Sequence, residues 1–123
     1  MQADELALAT RFRLALEHAA KTGDWTLVYP CLAADVEWIT PKRTLTGIDA
    51  VKHDLSWGSP PEHLDLEFQV GDWVDLGEGH FALDVHETYR MKGSGDVAYL
   101  RERRIDITIR DAMISRYEMK IVG

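Results

Sequence analysis

The sequence predicts an α+β fold, with three N-terminal helices packed in a curved, mostly antiparallel sheet. Three observations carry this. Before about residue 57, apolar residues recur at helical spacing, interrupted by one short strand-like stretch around Val36 and Trp38. From Leu64 onward the apolar period changes to two, as in half-buried strands. The later segments are joined by short turns, which lets successive strands pair antiparallel. A length of 123 residues with 46% hydrophobic residues suits one domain, 1–123, with one core.

Asp4 is placed to cap the first helix, whose apolar face is Leu8, Phe12, Ala15, Leu16 and Ala19. His18 and Lys21 fall in its last turn, where positive charge suits the carbonyl end of the dipole, and Gly23 suits the left-handed position that ends it. Asp24 is placed to cap a second, short helix through Trp25, Leu27, Val28 and Leu32, which Pro30 cuts short or bends. A strand follows, with Val36, Trp38 and Thr40 on one face and Asp35, Glu37 and Ile39 on the other, ended by Pro41. Past a polar loop, a third helix opens after Gly47 with Ile48, Val51 and Leu55 as its apolar stripe, extending to Trp57 and stopped by Pro60-Pro61. His53 falls off that stripe and is expected at the surface.

In the strand half, Leu64, Leu66, Phe68 and Val70 alternate with Asp65, Glu67 and Gln69. Trp73 breaks this phase, and a bulge near Gly71 restores it. After a turn at Gly77-Glu78-Gly79, one face carries Phe81, Leu83, Val85, Glu87, Tyr89 and Met91; after Gly93–Asp96, another carries Tyr99, Arg101, Arg103, Ile105, Ile107 and Ile109. Both faces must look at the same core, so paired residue numbers must have even sums. The expected register is Phe81 with Ile109, Leu83 with Ile107, Val85 with Ile105, Glu87 with Arg103 and Tyr89 with Arg101. A tight turn at Asp111-Ala112 leads into a last strand with Met113, Tyr117, Met119 and Ile121 inward.

Several function classes are disfavoured. Net charge is -7, and the fourteen Lys and Arg residues are dispersed, so no basic stripe indicates a nucleic-acid partner. The first residues are acidic rather than signal-like, and no run approaches the ~18 apolar residues of a membrane span, so a cytoplasmic protein is expected. Cys31, the only cysteine, excludes an intramolecular disulfide and a multi-thiolate metal site, and reads as a small buried hydrophobe. His80, Asp84 and His86 share a strand face, but it looks outward and no fourth ligand is evident; no metal is expected. There is no Gly-rich phosphate loop or Ser-His-Asp arrangement, and no cofactor is implied.

The candidate site is where charge interrupts the apolar faces. Glu87, Arg101 and Arg103 lie toward one end of the sheet, where an unpaired charge would be costly. Two readings stay open: a structural ion pair closing that end, or a site in which the arginines bind a carboxylate or enolate while Glu87 moves a proton. Trp38 and Thr40 are expected to wall such a site. Tyr89 and Tyr117 are candidate donors to a ligand oxygen, although buried tyrosines equally satisfy themselves on backbone carbonyls.

Four stretches carry a family resemblance: Gly23-Asp24-Trp25; Leu32-Ala33-Ala34-Asp35-Val36-Glu37-Trp38 with Pro41; Gly47-Ile48-Asp49-Ala50-Val51; and Ile114-Ser115-Arg116-Tyr117. In these the chain resembles the nuclear transport factor 2-like superfamily, in its SnoaL-like branch, and is similar to polyketide cyclases and ketosteroid isomerases. The resemblance implies a cone-shaped half-barrel whose open end holds a hydrophobic small molecule, and a homodimer packed through the outer face of the sheet. It does not carry over the isomerase chemistry. Thr40 stands where the Asp base would precede the proline, Leu16 where the oxyanion-hole tyrosine would be, and Ile105 where a neutral Asp would face inward, with neighbouring Asp106 turned outward. The Asp-Arg-Asp set of limonene epoxide hydrolases is also missing from the inward positions. The functional expectation is a small-molecule-binding SnoaL-like protein acting as an acid/base isomerase, cyclase or hydrolase on a hydrophobic ligand. The alternative is a non-catalytic homodimeric ligand-sensing or assembly module.

Overall fold

Helix α1 spans Gln2–Thr22 in a computed structural model that describes residues 2–55 and 64–122. Leu8, Phe12, Ala15, Leu16 and Ala19 are all buried, joined by Ala9. Asp4 sits inside the first turn with Glu5 rather than capping it, and there the carboxylates still face the positive end of the dipole. Gly23 ends the helix at φ +77°, donating its N–H to the Ala19 carbonyl at 2.8 Å.

The expected second helix does not form. Asp24 caps a turn instead, accepting from the Thr26 N–H at 3.0 Å and the Thr26 hydroxyl at 2.7 Å, and the chain then makes a single 3-10 turn at Tyr29–Cys31. Pro30 lacks an N–H and disfavours helical geometry at Tyr29, and too few residues remain before the next strand to repay helix nucleation. The described residues therefore contain two α-helices, the second being α2, Ile48–Leu55. It opens after Gly47, as expected: Gly47 sits at φ +92°, and its carbonyl accepts from the Val51 N–H at 3.2 Å. The expected helix extension to Trp57 and its stop at Pro60-Pro61 lie outside the described residues.

Seven strands form one curved, unclosed, mixed sheet: β1 (Leu32–Ile39), β2 (Thr44–Thr46), β3 (Leu64–Val70), β4 (Val74–Gly77), β5 (His80–Met91), β6 (Val97–Arg110) and β7 (Met113–Ile121). Their order is β2-β1-β7-β6-β5-β3, with β4 also on β5. β1 runs parallel to β7; the other pairings are antiparallel. β1 ends at Ile39, so Thr40 is not a strand residue. It turns the chain, its N–H and hydroxyl both donating to the Arg43 carbonyl at 2.9 and 3.3 Å.

The phase break near Gly71 is present. Val70 faces Val85 and Val74 faces Ala82, so β3–β4 spends one extra residue there, and the Gly71 N–H bonds the Asp84 carbonyl at 2.9 Å. The released Trp73 folds back onto α1, donating its indole N–H to the Ala9 carbonyl at 2.7 Å and meeting Phe81 edge-on.

Between β5 and β6 the predicted parity holds but the register is two residues away from expectation. Phe81 pairs Ile107, Leu83 pairs Ile105, Val85 pairs Arg103, Glu87 pairs Arg101 and Tyr89 pairs Tyr99. A slip of two leaves every side chain on its own face, so alternation cannot detect it. The connecting turn decides, with the Met91 N–H on the Asp96 carbonyl and the Gly95 N–H on the Met91 carbonyl, and with a register shift between Tyr89 and Arg90. A second irregularity corrects β7. Thr108 faces Arg116 while Ile109 faces Ile114, so Ser115 is the extra residue and Ile114, not Met113, is buried. Ile121, expected inward, is exposed. The turn at Asp111 and Ala112 is as expected, both residues having positive φ (52° and 62°), the combination that matches strand twist in a two-residue hairpin.

The core lies between α1 and the concave face of the sheet, where Phe12, Val36, Val85, Ile107 and Ile114 are among the fully buried side chains.

Candidate ligand-binding site

β5 and β6 place three charged side chains, Glu87, Arg101 and Arg103, on the buried face of the sheet. Glu87 follows Val85 and precedes Tyr89 on the inward face of β5, and is 6% exposed. A carboxylate so buried needs donors. It has two. Arg103 Nε donates to Oε1, and the Tyr89 hydroxyl donates to Oε2 at 2.9 Å. Arg103 sits opposite Val85, so the ion pair forms on the diagonal, within reach of two long side chains across adjacent strands. Its Nη1 points at Met119 Sδ, 3.4 Å away.

Tyr89 is held from both ends. Its hydroxyl is on Glu87 and its ring stacks on Tyr99, with centroids 4.3 Å apart and 20° between planes. Burial, then the hydrogen bond to Glu87 and the charge of that carboxylate, push its pKa up to about 12, against a smaller opposing pull from Arg103. Arg101 faces Glu87 across the ladder without bonding it, and its guanidinium carbon lies 5.5 Å from the Tyr99 ring centroid.

Tyr117 and Trp38 are register partners on the parallel pair β1–β7, and their rings stack at 3.8 Å and 14°. Trp25 meets Trp38 edge-on and Phe12 meets Tyr117 edge-on, which closes an aromatic wall against α1. Burial raises the Tyr117 pKa well above the ordinary phenol value; the positive Arg103 opposes this and Glu87 adds to it, which places Tyr117 within the field of the ion pair.

The structure thus brings Glu87, Tyr89, Arg101, Arg103 and Tyr117 to one face and sets Trp38 in the wall beside Tyr117. Thr40 stands apart, in the turn after β1. His80, Asp84 and His86 are exposed on the opposite face, His80 with Thr108 and His86 with Glu102, and no cluster suited to a metal ion occurs among the described residues. Asp106 is turned outward as alternation requires, beside Arg104 at 3.3 Å, and Leu16 and Ile105 are buried apolar groups. Tyr99 is the member that sequence reasoning missed. With the register displaced by two, Arg101 occupied its place opposite Tyr89; the signal available was its i, i+2 spacing from Arg101.

On the outer face, Arg104, Asp106, Arg116, Glu118 and Lys120 with His80 border an open groove of about 790 Å³. No helix among the described residues is long and apolar enough to cross a membrane.

No protein-family model matches the sequence, and no curated protein matches it. Solved structures do. An NTF2-like protein from Anabaena variabilis superposes with a TM-score of 0.78 at 14% identity, covering 98% of this chain and 90% of that one. A ketosteroid isomerase-like protein from Erwinia carotovora atroseptica gives 0.62 at 17% identity, with 97% of each chain covered. TerC, co-crystallised with polyporic acid, gives 0.66 at 17% identity, covering 94% and 92%. Similarity at this level of identity concerns architecture alone, and by it the chain has the nuclear transport factor 2-like fold.

Proposed function

We propose that this protein binds a hydrophobic small molecule bearing an anionic or carbonyl group against the inner face of β5 and β6. One observation carries the reading: a carboxylate 6% exposed, Glu87, is held on that face by Arg103 and Tyr89 instead of being replaced by an apolar residue. Burying an ion pair seldom improves stability over apolar packing, so its presence at one end of a concave sheet fits a role beyond the fold. TerC, a neighbour of the same fold that was co-crystallised with polyporic acid, supports binding of a small molecule at the same level of generality. Trp38 and Tyr117, both buried, back the site from within the core in this reading, and Thr40 stands outside it.

Acid/base turnover, as an isomerase, cyclase or hydrolase, is a second reading with its own support. The Tyr89 O–H on Glu87 at 2.9 Å is a hydrogen-bonded acid–base pair; in this reading a ligand oxygen takes the place of the Glu87 oxygen as acceptor of the Tyr89 proton, which frees that carboxylate oxygen to accept a proton from the ligand. Both readings include a homodimer assembled through the outer face of the sheet, whose alternating Arg116, Glu118 and Lys120 offer self-complementary charge.

A thermal-shift screen of lipophilic acids and ketones, followed by calorimetry on the hits, tests the proposal. Binding by the parent protein that is lost in Glu87→Gln is the expected result. A screen with no hit, or hits that bind the variant as they bind the parent, removes Glu87 from a site.

A further inference from the structure

Among the described residues, the charges on the inner face do not cancel. Arg103 and Glu87 form a neutral pair, and both Glu87 oxygens are engaged, one by Arg103 and one by Tyr89. Arg101, the direct register partner of Glu87, is therefore left facing a carboxylate that is already satisfied. The acids nearest in register are spent on the other face, Glu102 beside His86 at 3.4 Å and Glu67 on Arg90 at 2.9 Å. Among the described residues, the inner face at this end holds two arginines, Arg101 and Arg103, against one carboxylate, Glu87, in a protein whose net charge is -7. Arg101 is half-buried, with its guanidinium over the ring of Tyr99.

Desolvating a guanidinium part-way without an anion is unfavourable, and the shortfall is made up when a ligand brings one. The partner that suits Arg101 is planar, because a guanidinium fork matches a carboxylate or enolate in two parallel hydrogen bonds. Beside it, Tyr99 is 40% exposed although Tyr89 stacks on its ring and the Arg101 guanidinium lies over it, so it is the exposed edge of the ring that stays within reach of a ligand held by the same cation. We infer that Arg101 and Tyr99 together recognise a planar aromatic acid, the anion on Arg101 and the ring system against the exposed edge of Tyr99. Arg103 orients Glu87 and does not hold the ligand. This rests on the small-molecule reading above and assigns its anionic group to a single arginine.

The test compares 2-naphthoate with its neutral isostere 2-naphthamide, by calorimetry on the parent, Arg101→Met and Arg101→Lys. In the parent the acid should bind about 10- to 100-fold more tightly than the amide, the range of a charge-assisted bidentate contact. In Arg101→Met that preference should fall to near one, and in Arg101→Lys it should recover only in part, since a point charge lacks the fork. Because the readout is a ratio within each protein, a general loss of stability does not imitate it. Equal binding of acid and amide by the parent, or a preference that survives Arg101→Met, overturns the assignment while leaving small-molecule binding standing. Failure of both probes, and of the wider lipophilic screen, to bind the parent overturns the small-molecule reading and this assignment with it.

Discussion

Glu87 is costly to bury and is tolerated because two donors meet it. Replacing it with Gln keeps the shape but leaves the Arg103 guanidinium, itself 20% exposed, without its anion. The expected loss is about 1–3 kcal/mol of folding stability, read from urea denaturation, with the circular dichroism spectrum unchanged. Tyr89 gives a pH signature. Its pKa is raised to about 12 from an ordinary value of 10.0, so the folded state holds this proton more tightly than the unfolded chain. The corresponding stability is fully present below pH 10 and is lost as pH rises toward about 12. Urea midpoints measured between pH 9 and 12 should fall in the parent and fall less steeply in Tyr89→Phe, where the residual slope belongs to Tyr117 and the surface. Identical slopes in the two proteins would mean that Tyr89 is not held neutral by its surroundings.

At the scale of elements, two positions fix how helix and sheet meet. Phe12 is fully buried and abuts Tyr117, and its replacement by Ala should cost about 3–5 kcal/mol. Gly79, in the β4–β5 turn, has φ +77°, and a Cβ there would come within 2.5 Å of the Ile109 carbonyl oxygen. Since that oxygen is backbone, it cannot swing away; Gly79→Ala should cost about 1–3 kcal/mol, measured the same way. This is also where the limits of the sequence become physical. The faces of β5 and β6 were readable from alternation, which placed Glu87, Arg101 and Arg103 inward, and Gly71 announced its own irregularity by the misplaced Trp73. The two-residue offset between β5 and β6 was not readable, because it conserves every face and is set by turn hydrogen bonds near Met91 and Asp96. Ser115 hid its extra residue among polar neighbours, and so Met113 was assigned inward where Ile114 lies. Asp24 looked like a helix cap because a capped turn and a capped helix begin with the same hydrogen bonds. The Glu87–Arg103 pair was anticipated despite the wrong register, since long side chains reach diagonally as well as straight across.

For the whole molecule, a curved sheet with α1 in its concavity leaves two kinds of surface. The inner face carries aromatic and charged groups at one end; the outer face carries interleaved charges around the open groove. The proposed homodimer uses the outer face. Sedimentation should give a dimer at micromolar concentration for the parent and a monomer for Arg104→Glu combined with Arg116→Glu, with ligand binding retained. A monomeric parent would end the dimer proposal. The central claim is that the inner face is a binding site organised by Glu87, and calorimetric titration of the best lipophilic acid or ketone from the thermal-shift screen addresses it most directly. The expected result is saturable one-site binding to the parent, weakened at least about tenfold in Glu87→Gln. Equal affinity in the two proteins, or no binding of any screened compound to the parent, would contradict it.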